Sequence, residues 1–365
     1  MRLRYLLRYY PTRTETFVYR EIEGLRARGH AVSGVAIGRR EDGGSALPDW
    51  TCVHPPDYAA VAAAAAPLLA RPAGREAARW LKEHQPAKQV LKALWAASTL
   101  AEGERIHVHF AGEAAEWALL ARRACGVSYG VTVHAVDLFK PRPSLTEVLQ
   151  GAAVVLTVSA YNARILTERC GVEARVVRCG VDPGRWRAAH PERPGPVVAV
   201  GRWVPKKGLD LLVEAVRRVP GAQLWLVGDA PAEVEGPQVR RLGMLAPDAV
   251  AEVLAEGALF ALPCRVAPDG DRDGVPVAMM EAMAAGLPVL TTTLPGLDEL
   301  VDDACGWRVP PDDPDALTEA VAEVLADPVA RAVKGQAARR RVAEGFTLDA
   351  QVEGMLAAWR EVDLG

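Results

Sequence analysis

The sequence predicts an α/β protein built from two doubly wound, Rossmann-like domains that face each other across a cleft. Three observations carry this reading. Short apolar runs alternate with helical patterns in both halves of the chain, and that alternation builds a parallel sheet with helices on both faces. The 365 residues are too many for one ordinary domain and enough for two. A stretch rich in Pro, Gly and charge, Asp182 to Pro196, separates the halves and has the composition of a linker.

In the first half, strands are expected over Arg2 to Leu7, Ala31 to Ile37, Arg105 to Phe110, Tyr129 to His134 and Ala153 to Ser159. Between them, Thr16 to Arg28 places Phe17, Ile22 and Leu25 at helical spacing and meets a stop at Gly29. Glu113 to Arg123 and Tyr161 to Arg169 also read as helices. The second half repeats the logic. Pro196 to Val200, Ala222 to Val227, Ala258 to Leu262 and Val289 to Thr292 are apolar strands. Leu209 to Arg218, Asp248 to Glu256 and Pro276 to Ala285 are helices. The tail from Phe346 to Val362 carries Leu348, Val352, Leu356 and Trp359 on one helical face. The expected domains are residues 1–185, 186–345, and a final helix over 346–365 that returns to the first domain.

Half of the residues are hydrophobic and the formal net charge is -3, so two cores are easily filled and overall charge makes no case for nucleic acid. The six cysteines are scattered without a CxxC pair, which reads as reduced thiols of a cytoplasmic protein and gives no zinc site. The basic start reads as a strand, not a leader. The Ala-rich stretch Tyr58 to Ala70, interrupted by Pro67, is too short to span a membrane. Arg75 to Trp95 is amphipathic, broken at Pro86. Packing on the first domain is its leading account, and peripheral contact with an anionic membrane is the side expectation.

Two motifs carry the chemistry. Gly201-Arg-Trp-Val-Pro-Lys-Lys-Gly208 follows a strand and opens a helix. Arg202 there can bind phosphate oxygens in bidentate fashion and Lys207 as a point charge, beside the free amides of a helix start. Asp269 to Gly286 joins an acidic loop to a helix, with Asp273 at the loop end and Glu281 eight positions on. Carboxylates at such places suit the vicinal hydroxyls of a sugar. Asp269, Asp271 and Asp273 also start a calcium-loop pattern, but the closing position holds Met280, and Glu281 comes one residue late.

Together these motifs resemble the donor domain of retaining family 4 glycosyltransferases of the GT-B fold. The resemblance implies that Arg202 and Lys207 hold the donor diphosphate and that Glu281 holds the ribose. It gives Asp273, where the family has Glu, the contact with the donor hexose, with Gly274, Val275 and Pro276 following it. Arg240 to Leu245 resembles the loop that holds the nucleobase by its backbone, here through Gly243 and Leu245. Thr293 to Glu299 resembles a later GGxxE segment, with Pro295 in place of one glycine.

The segment Pro11 to Val18, with Arg28-Gly-His30, resembles a branch that builds bacterial exopolysaccharides and places Thr14 and Glu15 on the acceptor side. Val131 to Asp137 resembles the segment with a cleft histidine, which implies His134 as a catalytic residue and Asp137 on the acceptor side. His107 and His109 share a strand face, and a structural role leads for both. The implied activity moves a sugar, with retention, from a UDP- or GDP-sugar to a sugar, glycolipid or small-molecule acceptor. No metal or cofactor is expected. A nucleotide-sugar epimerase and a non-catalytic nucleotide-sugar-binding protein are the alternatives.

Overall fold

The computed structural model describes residues 1–10, 12, 15–39, 50–52 and 58–364. It divides into two compact units. The first comprises Met1–Val158, Asn162–Val177 and Val352–Gly365, and the second comprises Ser159–Tyr161 and Arg178–Gln351.

The strands of the first unit are β1 (Arg2–Tyr10), β2 (Ala31–Arg39), β3 (Trp50–Cys52), β4 (Arg105–His109), β5 (Tyr129–Val133), β6 (Val154–Thr157) and β7 (Arg175–Val176). They form one parallel sheet in the order β3-β2-β1-β4-β5-β6-β7. Helices α1 (Thr16–Ala27), α2 (Tyr58–Leu69), α3 (Pro72–His84), α4 (Ala87–Ser98), α5 (Glu113–Cys125), α6 (Ala135–Phe139), α7 (Leu145–Gly151) and α8 (Ala160–Cys170) connect them. The core is closed by Tyr5, Trp117, Tyr129 and Trp359, all fully buried. Gly130 on β5 leaves room for the Trp359 ring, which a Cβ at 130 would approach to 2.8 Å.

The second unit holds β8 (Val197–Val200), β9 (Leu224–Val227), β10 (Val239–Gly243), β11 (Leu259–Ala261), β12 (Val289–Thr292) and β13 (Gly306–Val309), parallel throughout in the order β10-β9-β8-β11-β12-β13. Its helices are α9 (Leu209–Arg218), α10 (Pro247–Ala255), α11 (Val277–Ala285), α12 (Pro314–Ala326) and α13 (Pro328–Gly345). The last helix, α14 (Leu348–Leu364), begins in this unit and contributes Val352 onward to the first. Leu209, Leu212, Val213 and Val216 bury the apolar stripe of α9, and Met279, Met280 and Met283 are core residues, as their spacing implies.

Of four local expectations, three change and the break at Pro86 holds. Pro67 lies inside α2 without ending it, near the C-terminal end of the helix. Pro86 separates the amphipathic stretch into α3 and α4 as the N-cap of the second. The apolar side chains of that stretch, Leu81, Val90 and Leu94, are buried inside the unit, and Trp80 Nε1 donates to Glu147 at 2.6 Å. Arg240 to Gly243 is strand, not loop. β10 is an edge strand with an irregular register between Arg241 and Gly243, and only Val239 is fully buried on it. The linker-like stretch is fastened within the second unit. Ala189 N donates to Ala285 O at 2.7 Å, and the buried Arg331 donates to Pro191 O at 2.7 Å.

Candidate active site

In the second unit, β8 and β11 are neighbours whose onward connections run to opposite sides of the sheet. Such a switch point leaves a crevice beyond the carboxyl ends of the strands, where doubly wound sheets bind ligands. The residues after β8 form a single turn, Pro205–Lys207, and enter α9 through Gly208 at φ 62°. A Cβ at that position would run into the Pro263 carbonyl, so glycine is required there for both torsion and space.

Hydrogen bonds tie this turn to the loop after β11. Arg265 N donates to Lys206 O at 3.0 Å, and Arg265 Nε donates to Pro205 O at 2.8 Å. The Thr291 hydroxyl donates to Leu262 O at 2.8 Å, and the Thr292 hydroxyl holds Cys264 O, so β12 fixes the start of the same loop.

The two loops bring cations and carboxylates together. Lys207 Nζ lies 2.6 Å from Asp273 Oδ2. Lys206 Nζ lies 3.3 Å from Asp273 Oδ1 and 3.1 Å from Asp271 Oδ2. Burial disfavours the charge on Lys207, but the Asp273 carboxylate outweighs it and raises the pKa. Burial likewise disfavours the Asp273 carboxylate, and Lys207 and Lys206 together hold its pKa below the ordinary value. The pair is therefore ionised. Burial, reinforced by Asp273, pushes the Cys264 thiol up, and its sulfur lies 3.7 Å from Asp273 Oδ2.

The other expected donor residues sit on the same edge of this sheet. Arg202 is exposed beyond β8, has no ion-pair partner among the described residues, and lies near enough to oppose the charge of Lys207. Gly228 after β9 donates its N–H to Gly243 O at 2.9 Å, and a Cβ at Gly228 would strike the Gly201 carbonyl. Gly243 and Leu245 stand at and just beyond the end of β10. Gly274 and Val275 are half-buried, Pro276 is the N-cap of α11, and Glu281 lies within that helix, 9% exposed. Glu299 accepts from the amides of Ala160 at 3.0 Å and Tyr161 at 2.9 Å and pairs with Arg178 at 3.1 Å.

In the first unit, His134 follows β5 as the N-cap of α6. Its ring packs against Phe17 and Phe110, with centroids 5.0 and 4.4 Å away. Phe110, at the end of β4, holds φ 71°, a region rarely adopted by residues other than glycine. Such strain concentrates at functional sites. His134 Nε2 is 3.2 Å from His109 Nδ1, and burial followed by repulsion from His109 holds the His134 pKa well down. Asp137 accepts the His134 backbone N–H at 2.9 Å, and its carboxylate serves the start of α6. Burial pushes its pKa up to about 7, against the hydrogen bonds it receives from the His134 and Ala111 amides. Glu15 is the N-cap residue of α1, and Thr14 lies outside the described residues.

The sequence does not single out Lys206 or Glu21, and it marks Asp271 only within the calcium-loop pattern. A second lysine carries no signal of its own in a basic turn, and the aspartate pattern does not show that Asp271 pairs with Lys206. Glu21 sits among ordinary α1 residues, yet it is 2% exposed. Potential ligand atoms of Glu21, His107 and His109 lie within 4.8 Å of one another. Glu21 Oε1 and His109 Nε2 are hydrogen-bonded to each other at 2.9 Å, and His107 Nε2 to the Thr132 hydroxyl at 3.0 Å. The first bond holds Glu21 to His109, and His107 adjoins them two residues away on the same face of β4, its ring centroid 5.5 Å from that of His109.

The model of Glycosyltransferase Family 4 matches residues 14–185, and that of Glycosyl transferases group 1 matches residues 195–327. A GDP-mannose-dependent alpha-(1-6)-phosphatidylinositol monomannoside mannosyltransferase of Mycolicibacterium smegmatis is 33% identical over 66% of this chain and 72% of its own length. The chain belongs to the family 4, group 1 glycosyltransferases. This glycosyltransferase is also similar to the putative colanic acid biosynthesis glycosyltransferase WcaL of Salmonella typhimurium, at 26% identity over 88% of this chain and 90% of the relative. It spans 60% of the length of a GDP-mannose-dependent mannosyltransferase of Corynebacterium glutamicum, at 32% identity. Among solved structures, a sucrose-phosphate synthase of Thermosynechococcus elongatus superposes with TM-score 0.77 at 18% identity, covering 100% of both chains. Anabaena HepE in complex with UDP superposes with TM-score 0.72 at 15% identity, covering 99% of this chain and 100% of the other. The fold of this glycosyltransferase is GT-B.

Proposed function

We propose that this glycosyltransferase moves a hexosyl group, with retention, from a GDP- or UDP-sugar to a sugar, glycolipid or small-molecule acceptor. The observation that carries the reading is the ionised Lys207–Asp273 pair, 2.6 Å apart at the switch point of the second sheet. It sets a fixed cation where a diphosphate is expected and a carboxylate where sugar hydroxyls are expected. Relatives support a nucleotide-sugar donor, since several are GDP-mannose-dependent mannosyltransferases. The solved complexes of HepE with UDP and UDP-glucose point to the same class.

The chemistry follows from charge. The bond between the anomeric carbon and the diphosphate oxygen breaks, and negative charge grows on the leaving diphosphate. In this reading Lys207 and Arg202 stabilise it, and such electrostatic stabilisation is the largest single catalytic term in many enzymes. Protein cations suffice for this role, so no metal is assigned. Front-face attack, with the donor phosphate accepting the acceptor's proton, accounts for retention without an enzymic nucleophile. Contact with an anionic membrane is proposed only through the exposed Lys82 and Lys88 beside α3 and α4. No described helix is long and apolar enough to cross a membrane.

The test is a thermal-shift screen against GDP, UDP, ADP, CMP and dTDP, with Glu281→Ala as control. A nucleotide that binds only the folded protein adds about 2.7 kcal/mol at a hundred times its dissociation constant. The expected result is a shift with GDP or UDP that the variant loses. No shift with any of the five would overturn the donor-site reading.

A further inference from the structure

The first unit buries a group of hydrogen-bonding side chains around the ring of His134. Tyr5 on β1, Glu21 on α1, His107 and His109 on β4 and Thr132 on β5 are each no more than 4% exposed. They join in an ordered sequence. Tyr5 Oη donates to Glu21 Oε1 at 2.6 Å. His109 Nε2 stands 2.9 Å from the same oxygen. His109 Nδ1 then stands 3.2 Å from His134 Nε2.

The proton positions follow. An ionised carboxylate only accepts, so His109 carries a proton on Nε2. When His109 is neutral its Nδ1 is bare. His134 must then donate from Nε2, which leaves its own Nδ1 bare. When His109 is an imidazolium, Nδ1–H donates to His134 Nε2, and a neutral His134 carries its proton on Nδ1. In both cases Nε2 of His134 is taken; a bare Nδ1 accepts the Asp137 N–H in the capping box of α6, and a protonated Nδ1 gives that bond up.

We infer that Glu21 and His109 are positioning residues that decide which ring nitrogen of His134 carries the proton. The function of this control rests on the reading of His134 as a site residue; the control itself does not. Three features support it. The His134 ring is clamped by Phe17 and Phe110, so its nitrogens cannot exchange places by rotation without displacing both rings. Glu21 is held ionised at about pKa 2, where burial, which alone would raise it, is outweighed first by His109. The titratable groups that face the two imidazoles are Tyr5, Glu21, His107 and Asp137. Burial keeps His107 neutral, with its pKa lowered to about 3.

The experiment is nitrogen-15 NMR of ring-labelled histidines. In the wild type, His134 should stay neutral, and with His109 neutral its ring resonances should report the proton on Nε2. Independent titration of His134 would overturn the inference. Glu21→Leu removes the acceptor and should move the His134 resonances toward a mixture of tautomers. Tyr5→Phe removes the other bond to the same oxygen, with the 3.4 Å contact to Met355 Sδ, and should leave them in place. Unchanged resonances in a folded Glu21→Leu protein, or equal changes in both variants, would also overturn it. Once a donor and acceptor are in hand, Glu21→Leu should lower kcat about tenfold or more while nucleotide affinity stays near wild type. Equal loss in kcat and affinity would mark a merely structural role. Tautomer control in a protein that transfers no sugar would refute the proposed function and leave this inference standing.

Discussion

Replacing Lys207 by Met removes one charge and little volume from the site. At an effective dielectric of about 20, unit charges at the 2.6 Å separation of Lys207 and Asp273 attract by about 6 kcal/mol, and those at the 3.3 Å of Lys206 and Asp273 by about 5 kcal/mol. The variant therefore loses about half of the attraction that keeps Asp273 ionised. Much of this returns because the Lys207 ammonium no longer has to be desolvated. The net loss of stability is expected at about 1–3 kcal/mol, below the cost of stripping a fully buried pair, since Lys206 remains. Binding should suffer more specifically. A hydrogen bond to a charged group contributes about 1.5–3 kcal/mol, so the affinity for GDP or UDP should fall about 10- to 150-fold. Isothermal titration reads this directly, and a thermal melt reads the stability. Lys206→Met is the matched comparison. It strips Asp271 and leaves the Lys207–Asp273 contact, so it should cost comparable stability with nucleotide affinity within about threefold of wild type. Wild-type affinity in Lys207→Met, or equal weakening in both variants, would refute the assignment of the phosphate to Lys207.

Two further outcomes follow from the geometry. Gly208→Ala forces a side chain into φ 62° and against the Pro263 carbonyl. It should destabilise the protein by more than the roughly 1–2 kcal/mol of the torsion alone and weaken nucleotide binding, read by a melt and a titration. A melting temperature within error of wild type would contradict the geometry. Asp137 has its pKa raised from 3.8 to about 7. Between these values the folded protein holds a proton that the unfolded chain has lost, so stability falls as pH rises through this window. Asp137→Asn should escape that fall, gaining on wild type by up to about 4 kcal/mol between pH 4 and pH 7 in urea unfolding. A pH-independent difference would show that Asp137 is not held protonated.

The second unit was the more legible in sequence, for physical reasons. α9 spans the expected Leu209 to Arg218 because its apolar stripe is strong and Gly208 and Val219 bound it. β12 spans the expected Val289 to Thr292 because it is a short apolar run after Pro288. The gathering of its candidate residues at strand ends was readable because glycines and charged residues there follow rules of torsion and charge. β10 was not, because two arginines and a glycine on an edge strand look like a turn. The network beneath His134 was also hidden. Glu21 and His109 are 88 residues apart in sequence, and nothing in the local pattern of α1 marks Glu21 as buried. Only the pairing of β1 with β4, and of β4 with β5, brings these side chains into one group.

The division of α14 between the units has a consequence for the order in which the protein is made. The first unit needs Val352 to Gly365, and with them the fully buried Trp359. Met355, whose sulfur lies 3.4 Å from the Tyr5 hydroxyl, arrives in the same stretch. A chain leaving the ribosome therefore presents nearly all of its first sheet long before the helix that completes that sheet's core exists. At roughly 5–20 residues per second, synthesis of 178–351 takes on the order of 10–35 s. Throughout that interval the nascent first unit carries an unfilled place beside Gly130 and His107, while the second unit is free to fold as soon as it emerges. The earlier-made half is thus the later to be finished.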